Sequence, residues 1–264
     1  MKSLLVAGLL LGLGSFVVAE VKVSAVGLRV VGKGFKEEGS DDELRAFHRF
    51  AGTSIGLMIQ SEGKAIVNFD EEATKITSFA DDKGTDFLKV KSRFSSKPYS
   101  FEMAQESKSR KVWMTTLASG GVPQSGANKI TVAGELVLSL ASKSELKKSG
   151  KVSLEKGGKF EVAGHTFTID KIGKPDWGDD KLEVTLKSSV DLKSFRKVIF
   201  YDADGKELES KRGMWSSMGM FGKKTYQTSY TFKVEPKTLI LGLDQWTDLE
   251  VVKVPLDLKV GAGL

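Results

Sequence analysis

The chain has 264 residues, of which 40% are hydrophobic and 28% are charged, and its formal net charge is +6. The apolar fraction excludes a disordered chain, and the length suffices for one large domain or two of ordinary size. The absence of cysteine excludes a disulfide scaffold, a thiolate zinc site and a cysteine nucleophile. Basic and acidic residues are interleaved without a run of five like charges, which indicates a mixed, solvated surface and argues against nucleic acid as a partner.

The N-terminus has the pattern of an export signal. Lys2 provides a short positive region, Leu4–Val18 is apolar, and Ala19 completes a signal-peptidase site. The apolar run is too short and too interrupted by glycine for a comfortable membrane span. We therefore expect residues 1–19 to be a signal peptide cleaved before Glu20. The mature protein would then be periplasmic or extracellular, and its lack of cysteine favours a bacterial source.

Most of the remaining sequence has the two-residue periodicity of β-strands. Short runs rich in β-branched and aromatic residues are separated by clusters of Gly, Asp, Ser and Lys. Such runs at spacings of roughly 8–12 residues are typical of β-sandwiches and barrels. The predicted strands, in chain order, are Lys22–Val31, Ser54–Gln60, Lys64–Phe69, Phe87–Arg93, Tyr99–Met103, Val112–Leu117, Ile130–Leu138, Lys151–Leu154, Thr166–Ile172, Leu182–Leu186, Lys197–Tyr201, Lys206–Glu209, Tyr226–Val234 and Val251–Val260.

One helix is predicted, over Asp41–Phe50. Ser40 is a suitable N-cap, and Glu43, three residues later, completes a capping box. Leu44 and Phe47 would then lie on one face of the helix.

A faint internal repeat points to two similar units. Lys75–Gly84 resembles Lys197–Gly205, and Ile130–Leu138 resembles Val252–Val260. The offset is 122 residues from the first lysine of one segment to that of its match, and the second pair has the same offset. A repeat of this length is that of a sandwich of about 120 residues.

The polar stretch Ala141–Gly150 between the two copies has the composition of a linker. The predicted fold is therefore all-β, with two tandem immunoglobulin-like β-sandwich domains at 20–142 and 151–264 and a linker at 143–150. This arrangement resembles the tandem immunoglobulin-like modules of exported bacterial proteins, a resemblance of architecture that does not determine function.

Two turns rich in Asp and Gly invite comparison with calcium loops. Asp202-Ala-Asp-Gly-Lys-Glu207 has Gly at position 4 and Lys at position 5, so it does not match an EF-hand. A hairpin turn is the better interpretation of this segment and of Asp81-Asp-Lys-Gly84. Asp86 leaves a nonstandard cation site open there, but no metal site is predicted.

Catalytic patterns are weak. Gly52–Gly56 matches the letters G-x-S-x-G around Ser54, but a nucleophile elbow needs a strand, a sharp turn and a helix, and here the strand continues. The two histidines are interpreted as a residue of the short helix, His48, and a turn residue at a strand entry, His165. No loop of the phosphate-binding type is present, and no cofactor is predicted. A pair of catalytic carboxylates cannot be chosen from 34 acidic residues.

The most unusual segment is Lys211–Lys224, which holds three of the seven methionines between basic flanks. Its Gly and Ser content argues against a regular strand, while Met and aromatic residues are enriched at adaptable interfaces. The alternative is a long loop that folds back over the sandwich. We predict an exposed contact surface formed by Met214, Trp215, Met218, Met220 and Phe221.

The other tryptophans, Trp113, Trp177 and Trp246, are predicted to be core or sandwich-edge residues. The sequence thus favours an exported, non-enzymatic β-sandwich protein with a structural or binding role. Its partner would be another exported protein, a glycan or a membrane surface. The alternative is a secreted hydrolase acting on glycans, with an acidic site that the sequence does not locate.

Overall fold

The structure, a computed structural model, covers most of the chain beyond its N-terminus. The expected signal peptide at 1–19 lies outside the described residues, as does His48. The described residues are 21–36, 38, 43–44, 50–90, 97–220 and 223–261, with the backbone alone at 43, 220 and 223.

The described residues form an all-β protein, as predicted. The strands before residue 142 are β1 (Val21–Val31), β2 (Phe35–Lys36), β3 (Glu43–Leu44), β4 (Gly52–Ser61), β5 (Ala65–Phe69), β6 (Lys75–Asp81), β7 (Ser100–Glu106), β8 (Val112–Ser119) and β9 (Lys129–Ala141). The later strands are β10 (Ser144–Lys148), β11 (Val152–Ser153), β12 (Lys159–Val162), β13 (His165–Gly173), β14 (Leu182–Ser188), β15 (Lys197–Tyr201), β16 (Glu207–Leu208), β17 (Ser210–Met220), β18 (Lys223–Phe232), β19 (Thr238–Trp246) and β20 (Glu250–Gly261).

The segment predicted as a helix, Asp41–Phe50, contains a short strand instead. β3 pairs antiparallel with β2 in a two-stranded ribbon. The helix prediction is therefore wrong at Glu43–Leu44, because their backbone hydrogen bonds are made to a neighbouring strand and the local capping signal does not decide the structure. The other residues of the segment, apart from Phe50, lie outside the described part of the chain.

Two sheets enclose the core of the first sandwich. One has the strand order β1-β4-β8-β7, and in the other β9 lies between β20 on one side and β5 and β6 on the other. Alternate residues of each central strand face inward, as in β4, where one face is fully buried. The buried apolar side chains are Ile55, Leu57, Ile59, Ile66, Phe69, Ile76, Phe79, Phe87, Tyr99, Leu117, Ile130, Val132, Leu136, Leu138, Leu140, Val254 and Leu256.

The second sandwich is built in the same way from β10–β19. One sheet has the order β12-β13-β14-β18-β17, and the other has the order β10-β19-β15-β16 with β11 also pairing to β19. Its buried apolar side chains are Val162, Phe167, Ile169, Leu182, Val184, Leu186, Leu192, Phe195, Phe200, Tyr230, Phe232, Leu239, Leu241 and Leu243.

The two sandwiches are nested in the chain and not arranged in tandem. β20 pairs with β9 along its whole length, from Glu250 opposite Leu140 to Gly261 opposite Lys129. All strands of the second sandwich lie between these two partners in sequence, so it is an insertion in a hairpin of the first.

This nesting corrects the predicted domain boundaries. The predicted linker 143–150 contains strand β10, which pairs with β19. The predicted second unit, 151–264, contributes its last strand to the first core, where Val254 and Leu256 are buried. The physical reason is that an alternating strand can bury its apolar face equally well in either sandwich. Its pairing partner therefore does not follow from which strands lie next to it in the sequence.

The internal repeat is only partly reproduced by the fold. Ile130–Leu138 and Val252–Val260 are neighbours in one sheet, not equivalent strands of two domains. By contrast, Lys75–Asp81 and Lys197–Tyr201 lie in different sandwiches, each followed by the same kind of Asp-Gly turn. The repeat therefore reports a shared local motif of strand and turn.

One predicted strand, Phe87–Arg93, begins instead as the 3₁₀ helix Phe87–Lys89. The Asp86 carboxylate caps it by accepting a hydrogen bond from the Leu88 amide at 3.0 Å. This side-chain cap competes with the sheet for the backbone donor.

Candidate functional site

The Met-rich segment forms an edge strand of the second sandwich. β17 pairs with β18 and has no second neighbour in the sheet among the described strands. The prediction that the Gly and Ser residues argue against a regular strand is wrong. The segment forms a strand because β18 pairs with it and satisfies its backbone hydrogen bonds, despite the low strand propensity of its composition.

A two-residue bulge divides β17 into a basic end and an apolar end. Gly213 and Met214 together lie opposite Ser229, between the regular pairs on either side. The Met214 amide donates to Ser229 Oγ at 2.9 Å. A Cβ atom at position 213 would lie 2.6 Å from that Oγ, so a side chain there would displace the Ser229 hydroxyl from the Met214 amide. Beyond it, Trp215 to Met220 pair regularly with β18.

The five predicted contact residues do not share one face of the sheet. Trp215 lies opposite the buried Thr228, on the core-facing side, whereas Met218 lies opposite Thr225 on the outer side. Strand alternation places Met214 on the same outer side as Met218. Only the backbone of Met220 is described, and Phe221 lies outside the described residues.

The two described methionines of this segment are strongly exposed. The exposed fraction is 63% for Met214 and 70% for Met218, and it is 37% for Trp215. Long apolar side chains at a sheet edge are a feature that soluble proteins usually avoid or cover. The structure therefore places apolar side chains at an open edge.

Trp215 is held in place by the loop that precedes β15. Its indole Nε1–H donates to Asp191 Oδ1 at 3.1 Å, and Lys193 Nζ lies 3.7 Å from the ring centroid. Asp191 also caps the 3₁₀ helix Leu192–Ser194 by accepting from the Lys193 amide at 2.9 Å. One carboxylate thus fixes both the loop and the indole, while a cation covers the ring face.

This loop also contacts the first sandwich. Arg110 Nη2 donates to the Lys193 carbonyl at 2.8 Å, and Arg110 Nε lies 3.4 Å from the Glu106 carboxylate. The Arg110 side chain is only 12% exposed. A continuous series of contacts therefore joins the first sandwich to Trp215.

The outer face beside Met218 is polar and internally bonded. Ser216 Oγ lies 3.3 Å from Gln227 Oε1, and Gln227 Nε2 donates to Asp170 Oδ2 at 3.0 Å. These polar groups form hydrogen bonds with one another. The methionine side chains are therefore the apolar component of that face.

The basic end of β17 is paired with an acidic group. Lys211 Nζ lies 3.7 Å from Asp180, which also accepts a hydrogen bond from the Thr231 hydroxyl at 2.7 Å. That hydroxyl, and to a lesser degree Lys211, lowers the pKa of Asp180.

The residues considered for metal binding and catalysis lie in strands and turns of the described part of the chain. Asp202 Oδ1 accepts from the amides of Asp204 and Lys206, and the flanking β15 and β16 pair as a hairpin, as predicted. Ser54 lies inside strand β4, as predicted, and His165 opens β13. No group of three or more acidic or histidine side chains among the described residues could hold a metal ion.

The tryptophans differ in exposure. Trp246 is buried and Trp113 packs against the first core, in line with the prediction. Trp177 is 91% exposed, so its predicted core or edge position is wrong. It lies in the irregular loop between β13 and β14, where Asp176 forms an ion pair with Lys171 and no sheet covers the indole.

The second sandwich contains a small apolar cavity between its sheets. Its volume is about 10 Å³, and among its lining residues are Val152, Phe160 and Phe200. A space of this size and apolar lining is a packing defect that stays dry and is too small for a substrate.

Within the described residues, no helix is long and apolar enough to cross a membrane. No family model matches this chain, and no curated protein or solved structure matches it either.

Proposed function

We propose that this protein is an exported, non-enzymatic binding or structural protein that contacts a partner through the open edge of β17. The observation that carries the proposal is the exposure of Met214 and Met218 on an edge strand whose Trp215 is fixed by Asp191 and Lys193. A strand edge presents unpaired backbone groups, and a partner that adds a strand satisfies them while covering the apolar side chains.

The immunoglobulin-like character of the two sandwiches is part of the same proposal. Antiparallel two-sheet packing around an apolar core supports it. In such modules, binding through sheet edges and exposed loops is common, since the packed core keeps these surfaces rigid.

A matched pair of variants tests the binding role. Met218→Lys places a charge in the proposed contact surface, whereas Val251→Lys places one at an equally exposed position on β20 of the first sandwich. The immobilised mature chain is exposed to exported proteins of its source. We expect the Val251→Lys variant to retain the same bound proteins as the wild type, and the Met218→Lys variant to retain fewer of them. Identical retention by both variants and the wild type would refute a role for β17.

Export is tested separately by mass spectrometry of the mature protein. We expect Glu20 as the first residue, because cleavage after Ala19 fits the signal-peptidase pattern. An exported form that retains Met1 would contradict it.

A second candidate is a glycan contact at Trp177, favoured by its nearly complete exposure. An exposed indole offers a flat apolar face on which a sugar ring can stack. Binding of the mature chain to soluble oligosaccharides would then be lost in Trp177→Ala and kept in Met218→Lys. If Trp177→Ala binds as well as the wild type, the glycan candidate is wrong.

A further inference from the structure

The edge of β17 differs from the other long edges of the described sheets. Three described edge strands, β1, β17 and β20, have more than ten residues. β20 carries Pro255 and the charged residues Lys253, Asp257 and Lys259, which are features that prevent edge pairing. β1 lies beside β20 where the two sheets of the first sandwich meet.

The central part of β17 has none of these protective features. Gly213–Met220 contains no proline and no charged residue. After the bulge, six consecutive residues from Trp215 to Met220 are in regular register with β18. This length is sufficient for a strand of about six residues to pair with the free side of β17.

The side chains beside this edge determine which residues an added strand would contact. On the outer side it would lie next to Met214 and Met218, and on the core-facing side next to Trp215. Since methionine is flexible and polarizable, this surface accepts apolar side chains of different shapes. The centre of the added strand should therefore be apolar.

Basic residues lie at both ends of the apolar stretch. The exposed Arg212 precedes the bulge, and Lys224, also exposed, is paired with Gly219 at the other end. Lys193 covers the Trp215 ring between them. Arg212 and Gly219 pair with Tyr230 and Lys224, which are six positions apart on β18. This separation is about 20 Å of extended chain, so the two positive ends match acidic residues about six positions apart in a partner strand.

We infer that the partner segment of β17 is an extended polypeptide with an apolar centre and acidic residues at both ends, which adds a strand to the sheet β12-β13-β14-β18-β17. This inference rests on the proposed function and names the chemistry of its partner. The backbone ladder supplies pairing, the Met and Trp side chains supply apolar contact, and the basic ends select acidic sequences and speed association.

The experiment compares two synthetic peptides with the mature chain. One has alternating Val and Thr between terminal Glu residues, and the other has the same centre between Lys residues. Binding is followed by the change in tryptophan fluorescence in a Trp177→Phe background and is repeated at several salt concentrations. Because Trp113 and Trp246 remain in this chain, the change is assigned to Trp215 by its loss when Trp215→Phe is added. We expect the Glu-ended peptide to bind at least about tenfold more tightly, which corresponds to about 1.4 kcal/mol, and to weaken with salt.

Charge reversal makes the test specific. The double variant Arg212→Glu and Lys224→Glu should reverse the preference between the two peptides, whereas Lys253→Glu on β20 should leave it unchanged. A circular dichroism spectrum and melting curve of each variant confirm that it folds. Equal binding of both peptides to the wild type, or an unchanged preference in the double variant, overturns the inference.

Self-association gives the outcome that separates this inference from the proposed function. If neither peptide binds but the chain forms dimers that are abolished by Met218→Lys and strengthened by salt, the occupant is a second copy of this chain. The acidic-peptide inference is then wrong and the proposed role of β17 stands. If neither peptide binds, the chain stays monomeric and no partner is sensitive to Met218→Lys, both are wrong.

Discussion

The Asp248 carboxylate accepts hydrogen bonds from both the amide and the hydroxyl of Ser142, at 3.0 and 2.6 Å. The two residues are 106 positions apart in sequence. Ser142 follows β9, where the chain leaves the first sandwich, and Asp248 precedes β20, where it returns. The Lys143 amide also donates to Asp248, at 2.8 Å. One carboxylate therefore joins the exit and the return of the inserted sandwich.

The first prediction concerns the pH dependence of this junction. Hydrogen bonds from the Ser142 hydroxyl and then the Lys143 amide lower the pKa of Asp248 from 3.8 to about 2. A lowered pKa in the folded state stabilises the protein above about pH 4, and this contribution is lost as the pH falls toward 2. We expect Asp248→Asn to lower the Tm at pH 7 and to approach the wild-type Tm near pH 2.

The control for this variant is Asp257→Asn, at an exposed position of β20. It should leave the Tm unchanged at pH 7. A difference between Asp248→Asn and the wild type that stays constant from pH 7 to pH 2 would contradict the proposed role of the carboxylate.

The second prediction concerns independent folding. A fragment of residues 142–249 contains every buried residue of the second core, whereas 149–264 lacks β10 and carries β20 without its partner β9. We expect 142–249 to melt cooperatively and to stay soluble. The fragment 149–264 should aggregate, because the apolar face of β20 is left exposed. Cooperative melting of 149–264 alone would favour the tandem division over the nested one.

The third prediction tests the close approach of β6 to its sheet neighbour β9. Ile76 pairs with Gly134, and a Cβ atom at position 134 would lie 2.3 Å from the Lys75 carbonyl oxygen. We expect Gly134→Ala to lower the free energy of unfolding by about 2 kcal/mol, since the backbone of β6 must move. Gly173→Ala is the control, because a Cβ atom there meets nothing within 4 Å. Equal stability of the two variants in denaturant titrations would refute the close approach.

The fourth prediction tests how Trp215 is held. Its side chain is 37% exposed and donates to Asp191, so Trp215→Ala should cost about 1–2 kcal/mol, between the values for fully exposed and core residues. Trp215→Phe keeps an aromatic ring but loses the N–H donor and part of the contact area of the indole, for about 1 kcal/mol. Trp177→Ala should not change stability, because that indole is exposed. A cost above about 3 kcal/mol for Trp215→Ala would place the residue in the core and remove it from the contact surface.

The fifth prediction compares the two similar turns. The buried Asp81 accepts from the amides of Lys83, Thr85 and Gln124, the last at 2.8 Å. Burial by itself raises the pKa of Asp81, but these hydrogen bonds outweigh it and lower the pKa.

Removal of the Asp81 carboxylate leaves several amides without acceptors. We therefore expect Asp81→Ala to cost about 2–3 kcal/mol in urea denaturation. The equivalent change in the second sandwich, Asp202→Ala, affects a more exposed turn with two amide partners and should cost less. A larger loss for Asp202→Ala would show that the two turns do not differ through burial.

The segment around Trp215 shows which structural features can be predicted from local sequence and which cannot. The density of Met and Trp between basic flanks identified the segment as a candidate contact surface. Its Gly and Ser residues, however, led to the wrong prediction that it is not a strand. Whether a weak strand forms depends on its neighbour, and β18 supplies that neighbour by pairing antiparallel with β17. The separation of Trp215 from Met218 onto opposite faces follows from the register, which the bulge at Gly213 and Met214 sets.

The polar segment Ser144–Lys148 is a second strand that its local composition does not predict. Its composition is that of a linker, yet it forms β10 because its backbone pairs with β19. The central strand β19 itself carries few polar residues at its middle, so it lacks the alternation by which the predicted strands were recognised.

The sequence by itself determined that the protein is all-β, where most of its strands lie, and which Asp-Gly segments form turns. These properties depend on side chains within a few residues of one another, through alternation and turn chemistry. The tertiary structure decided that β20 returns to β9, that the second sandwich is an insertion, and that β17 is an open edge. Strand pairing joins residues more than a hundred positions apart, and an alternating strand fits several partners equally well, so only the complete packing selects one of them.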